Sequence, residues 1–280
     1  MLMHGELTLA ECLERLKQNQ IVIYGTGHVG RKFLLALKKL GLESQIACFA
    51  KTTHAQPKEN IEGIAVRSIS EITGVDEDIV CLAVHSSIKD ELIHELKKNN
   101  IRNYIWIYPY LYRMLLGAPV AENVAVDVDK MKNACLKDYR MAIRWLAIEQ
   151  YLGKNDDGYD LYIKGEALHC SRDTAEKRLH KFSGLIRNWI KYGYDSKHKV
   201  LISEDYEVID GNHRVALAIY FGEKHITCDI YSLPDGVSQL HGEEAMLTKE
   251  ILVHAGFSAR EISVMDEMME RTKGVLYEEA

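Results

Sequence analysis

Asp210, Gly211, Asn212, His213 and Arg214 form the part of this 280-residue chain whose residue types and spacing best suit chemistry. They lie between a short strand-like run and an apolar helical run. A turn of this kind presents backbone N–H groups, the positive end of a helix, a carboxylate, an imidazole and a guanidinium to one small volume. Such a set of groups suits a bound phosphate and indicates nucleotide chemistry.

Each residue of this turn has an expected role. Gly211 and Asn212 form the start of the helix, where Asn212 caps it and the N–H groups of His213 and Arg214 face phosphate oxygens. His213 and Arg214 stabilise the charge on a transferring phosphoryl group, while Asp210 holds Mg²⁺ or orients the acceptor hydroxyl. A structural alternative stays open, because Asp-Gly is a common turn dipeptide and a His-Arg pair can tie a turn to a carboxylate.

A glycine-rich turn near the N-terminus is the second candidate ligand site. Gly25, Gly27 and Gly30 follow the apolar run 21–24 and precede a helical run, which is the context that a dinucleotide-type phosphate loop requires. The next predicted strand ends in Lys51, with no Asp or Glu placed to bind a ribose diol. Dinucleotide oxidoreductase chemistry is therefore disfavoured, although a phosphate can still approach these glycines.

Strand-like and helical runs alternate through the first 110 residues or so, which predicts an α/β fold with a doubly wound, mostly parallel sheet. A last strand is predicted around Tyr104 to Tyr108. Aromatic side chains recur there and beyond at every second position, which is typical of a strand whose aromatic residues pack between domains or form a stacking surface for a ligand or sugar: Tyr104, Trp106, Tyr108, Tyr110 and Tyr112. This half resembles the Rossmann-type domains of sugar-modifying and polysaccharide-biosynthesis proteins. The resemblance implies a nucleotide or nucleotide-sugar ligand, or a role in forming a homodimer.

Gly117-Ala118-Pro119 interrupts the pattern and divides the chain into residues 1–118 and 119–280. The second part begins with a predicted helical linker over 126–152, which the sequence 155–158 ends. An α+β pattern follows: a long helix, a hairpin of two short strands, the turn at 210–214, a helix and another strand. The tail from Thr248 to Lys273 is predicted to be helical, with a break at 256–258.

Composition restricts the class of protein further. The net charge of −6 disfavours a general polyanion binder, so nucleic acid is not the expected partner. The six cysteines form no C-x-x-C pair or zinc-ligand spacing, and no apolar run is long enough to span a membrane. The N-terminal residues lack the pattern of a secretory signal, so the cytoplasm is the expected location.

The second half is similar to the ParB/sulfiredoxin fold over residues 160–235. The likeness rests on a helix ending at Gly193-Tyr194, the hairpin, the Asp210–Arg214 turn, and Ala216 and Ala218 in the helix after it. Sulfiredoxins carry their reducing cysteine where this chain has Asn212, which excludes sulfinic acid repair. ParB proteins bind CTP through a more arginine-rich turn and continue into a DNA reader, whereas the residues after 235 here are acid-rich.

The free serine kinases of that fold carry an Asp-Gly-His-His-Arg turn, from which this chain differs only at Asn212. That resemblance implies ATP or another nucleotide and Mg²⁺ as cofactors, and a glutamate base from an earlier helical segment. Glu176 is the candidate base, Glu166 is a substitute, and an ordinary surface carboxylate is the alternative.

Three functions of different classes follow from these observations. The first is an ATP-dependent kinase that phosphorylates the hydroxyl of a small molecule, an amino acid such as serine or a sugar, in cell-surface polysaccharide biosynthesis. The second is a non-catalytic nucleotide or nucleotide-sugar binding module in polysaccharide assembly. The third is a ParB-like, nucleic-acid-linked regulator, supported by the basic stretch 172–199, in which eight Lys or Arg accompany three acids.

Overall fold

A computed structural model of the chain describes residues 7–53, 59–72, 78–86, 88–233 and 246–274. Its internal contacts divide the chain into two units, Met1–Ala118 and Pro119–Ala280, here called the N-terminal and C-terminal units. Both combine helices with a sheet, so the predicted α/β class is confirmed at that level. None of the described helices combines the length and the apolar character that crossing a membrane requires.

The N-terminal unit is built on a sheet with the strand order β3-β4-β2-β1-β5-β6. All neighbouring pairs are parallel except β3 with β4. Ile21, Val22, Ile23 and Tyr24 are buried, as expected for a central parallel strand covered on both faces. The strands are β1 (Gln20–Tyr24), β2 (Ile46–Lys51), β3 (Asn60–Ile61), β4 (Ile64–Ser68), β5 (Asp78–Leu82) and β6 (Tyr104–Trp106).

Four α-helices and two short 3₁₀ turns of this unit lie among the described residues. Thr8 and Glu11 form a capping box that fixes the start of the first helix, with Thr8 N–H donating to Glu11 Oε2 over 2.8 Å. The helices are α1 (Leu9–Gln18), α2 (His28–Lys39), α3 (Lys89–Lys98) and α4 (Tyr108–Leu116), and the 3₁₀ turns are Glu43–Gln45 and Ile69–Glu71.

The predicted aromatic strand is wrong beyond Trp106. Only Tyr104–Trp106 is extended, and the later tyrosines belong to α4. Pro109 lies in the first turn of α4, where its missing N–H costs no hydrogen bond. Alternation of tyrosines alone therefore did not distinguish a strand from a helix that starts at a proline.

The C-terminal unit contains a second sheet of mixed direction with the order β7-β10-β8-β9. β10 lies between an antiparallel neighbour, β7, and a parallel neighbour, β8, while β8 and β9 form the predicted antiparallel hairpin. The strands are β7 (Ala121–Asp127), β8 (Val200–Ser203), β9 (Val208–Asp210) and β10 (His225–Tyr231). Helices of the same unit bury a shared apolar core that includes Trp145, Phe182 and Leu217.

The described helices of this unit are shorter and more numerous than the sequence indicated. The tail is helical over 249–254 and 259–274 with a break between them, which agrees with the predicted helical tail and its break at 256–258. The helices are α5 (Val128–Cys135), α6 (Tyr139–Tyr151), α7 (Gly158–Glu166), α8 (Arg172–Tyr192), α9 (Asn212–Phe221), α10 (Lys249–His254) and α11 (Ala259–Gly274).

The single helix predicted over 126–152 is wrong. Its first residues belong to β7, and the rest is divided between α5 and α6, because Asp127 and Asp138 each accept a hydrogen bond from a backbone N–H two residues on and cap a new helix. Gly158, predicted to end a helix, instead begins α7. A Cβ there would lie 2.2 Å from the carbonyl oxygen of Leu146, so only glycine permits this approach to α6.

The two glycines at the start of α2 allow a matched stability test. A Cβ at Gly30 would lie 2.0 Å from the carbonyl oxygen of Gly25, whereas one at Gly27 would meet nothing within 4 Å. We expect Gly30→Ala to lower the free energy of unfolding by about 3 kcal/mol, because the clash involves backbone. Gly27→Ala should change it by less than about 1 kcal/mol. Urea titration followed by circular dichroism measures both, and equal losses would contradict the packing argument.

Candidate functional site

Gly211 shapes the turn between β9 and α9. Its φ of +100° and ψ of 18° are left-handed, and a Cβ would lie 3.1 Å from Val200 Cγ2. The Gly211 carbonyl oxygen accepts from the N–H groups of Arg214 and Val215 over 2.8 and 3.1 Å, which closes the first turn of α9. The helix thus begins at Asn212 with Gly211 as its N-cap and no side-chain capping bond, so the predicted cap at Asn212 is wrong. The Arg214 N–H is taken by the Gly211 carbonyl oxygen, so the two N–H groups without a carbonyl before them within the helix are those of Asn212 and His213, not those of His213 and Arg214.

The body of α9 is held from inside the unit. Val215, Ala216, Leu217 and Ala218 are buried, and the indole Nε1–H of Trp145, itself fully buried, donates to the Ala216 carbonyl oxygen over 3.0 Å. Asp210, Asn212, His213 and Arg214 are only partly buried. The first turn of α9 therefore has a fixed position and a face that solvent can reach.

His213 is the residue of the turn with the most defined surroundings. Its Nε2 lies 2.7 Å from the hydroxyl of Tyr162 on α7. Its ring packs on Phe182 of α8, with ring centroids 4.5 Å apart. Tyr162 and Phe182 also stack on each other at 5.6 Å, so two aromatic rings from different helices fix the plane of the imidazole.

The environment of Tyr162 determines the protonation state of its phenol. Burial raises the pKa of Tyr162 far above its ordinary value, and the nearby negative charge of Glu166 raises it further. The tyrosine therefore keeps its proton, and we assign it as the donor to Nε2 of His213; a His213 that donates from Nε2–H to the phenolic oxygen is the alternative tautomer. In the assigned tautomer Nδ1 carries the ring hydrogen and acts as a donor.

Arg214 has a structural role beside the predicted electrostatic one. Its Nη1 donates to the carbonyl oxygen of His198 over 2.9 Å and also to that of Lys199. Both carbonyls lie just before β8, so the side chain ties the first turn of α9 to the start of that strand. This arrangement supports the structural alternative for Arg214 and leaves its positive charge next to the turn.

The two candidate base glutamates lie in different environments. Glu176 is exposed on α8, and its Oε1 accepts from Arg172 Nε over 3.0 Å, one helical turn away. Glu166 is largely buried at the end of α7, where its Oε2 lies 2.5 Å from Arg178 Nη1. Glu166 is on the same face of α7 as Tyr162, four residues earlier, so the substitute candidate lies nearer the His213 ring environment.

Asp210 ends β9, and its carboxylate is the metal ligand that the sequence predicts. Within the described part of the chain, no group of three His, Cys, Asp or Glu side chains is placed to hold a metal ion. A single carboxylate still fits Mg²⁺ that arrives with a nucleotide, because this ion commonly binds proteins through one or two carboxylates and completes its shell with phosphate oxygens and water.

The N-terminal glycine turn is formed as its motif predicts, although not every glycine is needed for the same reason. Gly25 has a φ of +132° and Gly30 approaches the Gly25 carbonyl, while Gly27 is exposed and precedes α2. Lys51 at the end of β2 pairs with Glu59 over 2.6 Å. A cation thus lies at the end of β2, where a dinucleotide-binding domain would place a carboxylate for ribose.

Sequence reasoning missed Tyr162 and Phe182, the two residues that contact His213. Tyr162 belongs to α7, a helix that was not predicted, and Phe182 lies within the long helix α8. Glu166 was named only as a substitute base, and Arg178 only as part of the basic stretch 172–199. The i, i+4 spacing of Tyr162 and Glu166, and of Arg178 and Phe182, was the available signal, because such pairs share one face of a helix.

Comparison with known proteins adds no assignment. No protein-family model matches the sequence, and neither the curated proteins nor the solved structures give a match.

Replacing Tyr162 by phenylalanine tests the proposed state of His213. Tyr162→Phe keeps the ring packing and removes the donor, so we expect the Nε2–H tautomer of His213 to increase and the free energy of unfolding to fall by about 1–3 kcal/mol. Nitrogen-15 NMR of labelled histidine reports the tautomer directly. Tyr194→Phe is the control, because its hydroxyl accepts from Thr227 N–H in the same unit. An unchanged His213 spectrum in Tyr162→Phe would contradict the assignment.

Proposed function

We propose that the C-terminal unit binds a magnesium-bound nucleoside triphosphate at the start of α9 and transfers its terminal phosphoryl group to the hydroxyl of a small molecule. The observation that carries this proposal is the left-handed Gly211, which caps α9 one residue after Asp210 and leaves the N–H groups of Asn212 and His213 at the helix start without a helical acceptor. Phosphate oxygens are the preferred partners of such a helix start.

The groups around this point match the needs of phosphoryl transfer. The acceptor oxygen attacks the terminal phosphorus, the bond to the bridging oxygen breaks, and the nucleoside diphosphate leaves. The hydroxyl proton passes to Asp210, which also orients that hydroxyl. In the tautomer that accepts from Tyr162, His213 donates from Nδ1–H to a phosphoryl oxygen, and the positive charge of Arg214 stabilises the charge that develops.

Magnesium supplies charge neutralisation between the phosphate oxygens when it is bound. Asp210 is the residue that would hold it, since its carboxylate precedes the helix start by two residues.

A non-catalytic nucleotide-binding module is the second candidate, and a specific observation favours it. Glu176 is bound to Arg172 on the surface, and Glu166 is bound to Arg178, so each of the two glutamates considered as bases is engaged by a guanidinium. If Asp210 alone does not activate the hydroxyl, the unit binds its nucleotide without turning it over.

The family resemblances extend the proposal to both units. The hairpin, the turn at Asp210 and the helix α9 support a ParB/sulfiredoxin-like assignment for the C-terminal unit. The parallel strands and the glycine turn support a Rossmann-like N-terminal unit that binds a nucleotide-sugar in polysaccharide biosynthesis. A DNA-reading role has less support, because Lys177 of the basic helix α8 already pairs with Asp173 over 3.1 Å.

Nucleotide titration tests the binding step. We expect isothermal titration calorimetry to detect ATP, ADP or CTP binding to the full chain in the presence of Mg²⁺, and Asp210→Asn to weaken the magnesium-dependent part about tenfold or more. His180→Ala is a matched control, because this histidine is exposed on α8. If none of the three nucleotides binds the wild-type chain, both candidate functions fail.

Phosphorus NMR separates the kinase from the binding module. The wild-type chain is incubated with Mg²⁺, the bound nucleotide and a panel of amino acids, hydroxy acids and sugars. The kinase proposal predicts a new phosphate ester signal for at least one acceptor and its loss in Asp210→Asn. Nucleotide binding with no ester from any acceptor would instead establish the binding module.

A further inference from the structure

Three charged side chains from three helices form a cluster in which two arginines lie within ion-pair distance of one glutamate. Glu166 of α7 accepts from Arg178 of α8 over 2.5 Å, and its other carboxylate oxygen lies 3.9 Å from Nη2 of Arg144 on α6. Arg144 is 7% exposed, and Glu166 is largely buried. The cluster therefore contains two guanidinium groups and one carboxylate in a mostly buried position.

Arg144 is poorly satisfied by this arrangement. Its Nη1 approaches only the thioether of Met141, at 3.7 Å, and its buried Nε has no hydrogen-bond partner within the described part of the chain. A buried guanidinium is costly unless a carboxylate or another anion compensates its charge. Glu166 compensates one of the two charges, so the cluster retains one net positive charge.

Arg178 connects this excess charge with solvent. Burial by itself would lower the pKa of Arg178, but the charge of Glu166 and its hydrogen bond raise it, so the guanidinium is always charged. Its side chain is 38% exposed, and only Nη1 is used by Glu166. A guanidinium fixed at one nitrogen presents its other N–H donors in a defined plane, which suits a two-oxygen acceptor.

The cluster also lies next to the proposed site. Arg178 is four residues before Phe182 on α8, and Glu166 is four residues after Tyr162 on α7. Phe182 packs on the His213 ring, and the Tyr162 hydroxyl lies 2.7 Å from its Nε2. Arg178 and Glu166 therefore lie about one helical turn from the residues of α8 and α7 that contact the imidazole.

We propose that Arg178, with the charge of Arg144 behind it, binds an anionic group of the small molecule that is used at the start of α9. This inference rests on the proposed function and names the substrate class, a hydroxyl compound that also carries a carboxylate or a phosphate. Glu166 then serves to hold Arg178 in place, and the ligand's anionic group completes the charge balance of the cluster.

The test compares three probes that share one scaffold: glycerate carries a carboxylate, glycerol 3-phosphate carries a phosphate, and glycerol carries neither. Saturation-transfer NMR with the full chain and Mg²⁺·ADP measures their dissociation constants. We expect at least one anionic probe to bind about tenfold or more tighter than glycerol, and Arg178→Gln to remove that preference. Arg187→Gln, an exposed arginine on the same helix, should retain it.

The variants distinguish this inference from the proposed function. Arg178→Lys keeps the pair with Glu166 and should reduce the anion preference by a smaller factor, so it replaces Arg178→Gln should circular dichroism show that the latter does not fold. If Mg²⁺·ADP binds but neither anion exceeds glycerol, or Arg178→Gln leaves the preference intact, the anion site is wrong and the nucleotide site stands. Failure of Mg²⁺·ADP to bind the wild-type chain would overturn both.

Discussion

The hydrogen bond between the Tyr162 hydroxyl and His213 Nε2 is the interaction on which the candidate site depends. It joins α7 to the first turn of α9 over 2.7 Å, and burial of the tyrosine keeps the phenol protonated. Phe182 supports the same imidazole from α8. Contacts from α7 and α8 therefore fix the orientation of the His213 side chain at the start of α9, on the partly exposed face of the turn.

The charged side chains near the turn also bind to other parts of the C-terminal unit. Arg214 is bound to backbone carbonyls before β8, Glu166 is bound to Arg178, and Arg144 lies behind them in a buried position. Side chains that the sequence suggested as free cations or bases therefore form hydrogen bonds and ion pairs that connect helices and strands. The same commitments fix where the remaining donors point, which is the property that a binding site requires.

The sequence was sufficient where local rules decide the structure. Apolar runs identified the central strands, Asp210-Gly211 identified the turn before α9, and glycine spacing identified the start of α2. It was insufficient where the outcome depends on distant partners. Strand β7 forms because it pairs with β10, about a hundred residues later, and Gly158 begins a helix because α6 passes within contact distance. Neither cause is visible in a window of neighbouring residues.

The candidate site likewise contains residues that the sequence predicted and residues that it did not. Asp210, Gly211, Asn212 and His213 were predictable, because they are contiguous and their types are informative together. Tyr162, Arg178 and Arg144 come from helices that meet only after folding, so no spacing rule relates them to position 213. The roles of Glu176 and of the other proposed site residues stay predictions until ligand binding is measured.

The indole N–H of Trp145 donates to the carbonyl oxygen of Ala216 from within the core and so holds α9 in position. The Trp145 bond holds the middle of α9, and the bonds from Arg214 to the carbonyl oxygens of His198 and Lys199 hold its first turn. The helix therefore cannot shift along or rotate about its axis without breaking hydrogen bonds. An anion bound at the start of α9, as proposed, would therefore meet amide hydrogens whose positions are already set, and little conformational entropy would be lost when the two associate. Under this proposal, discrimination among ligands would come from the shape of the ligand, because the hydrogen bonds at both points hold the start of the helix in place.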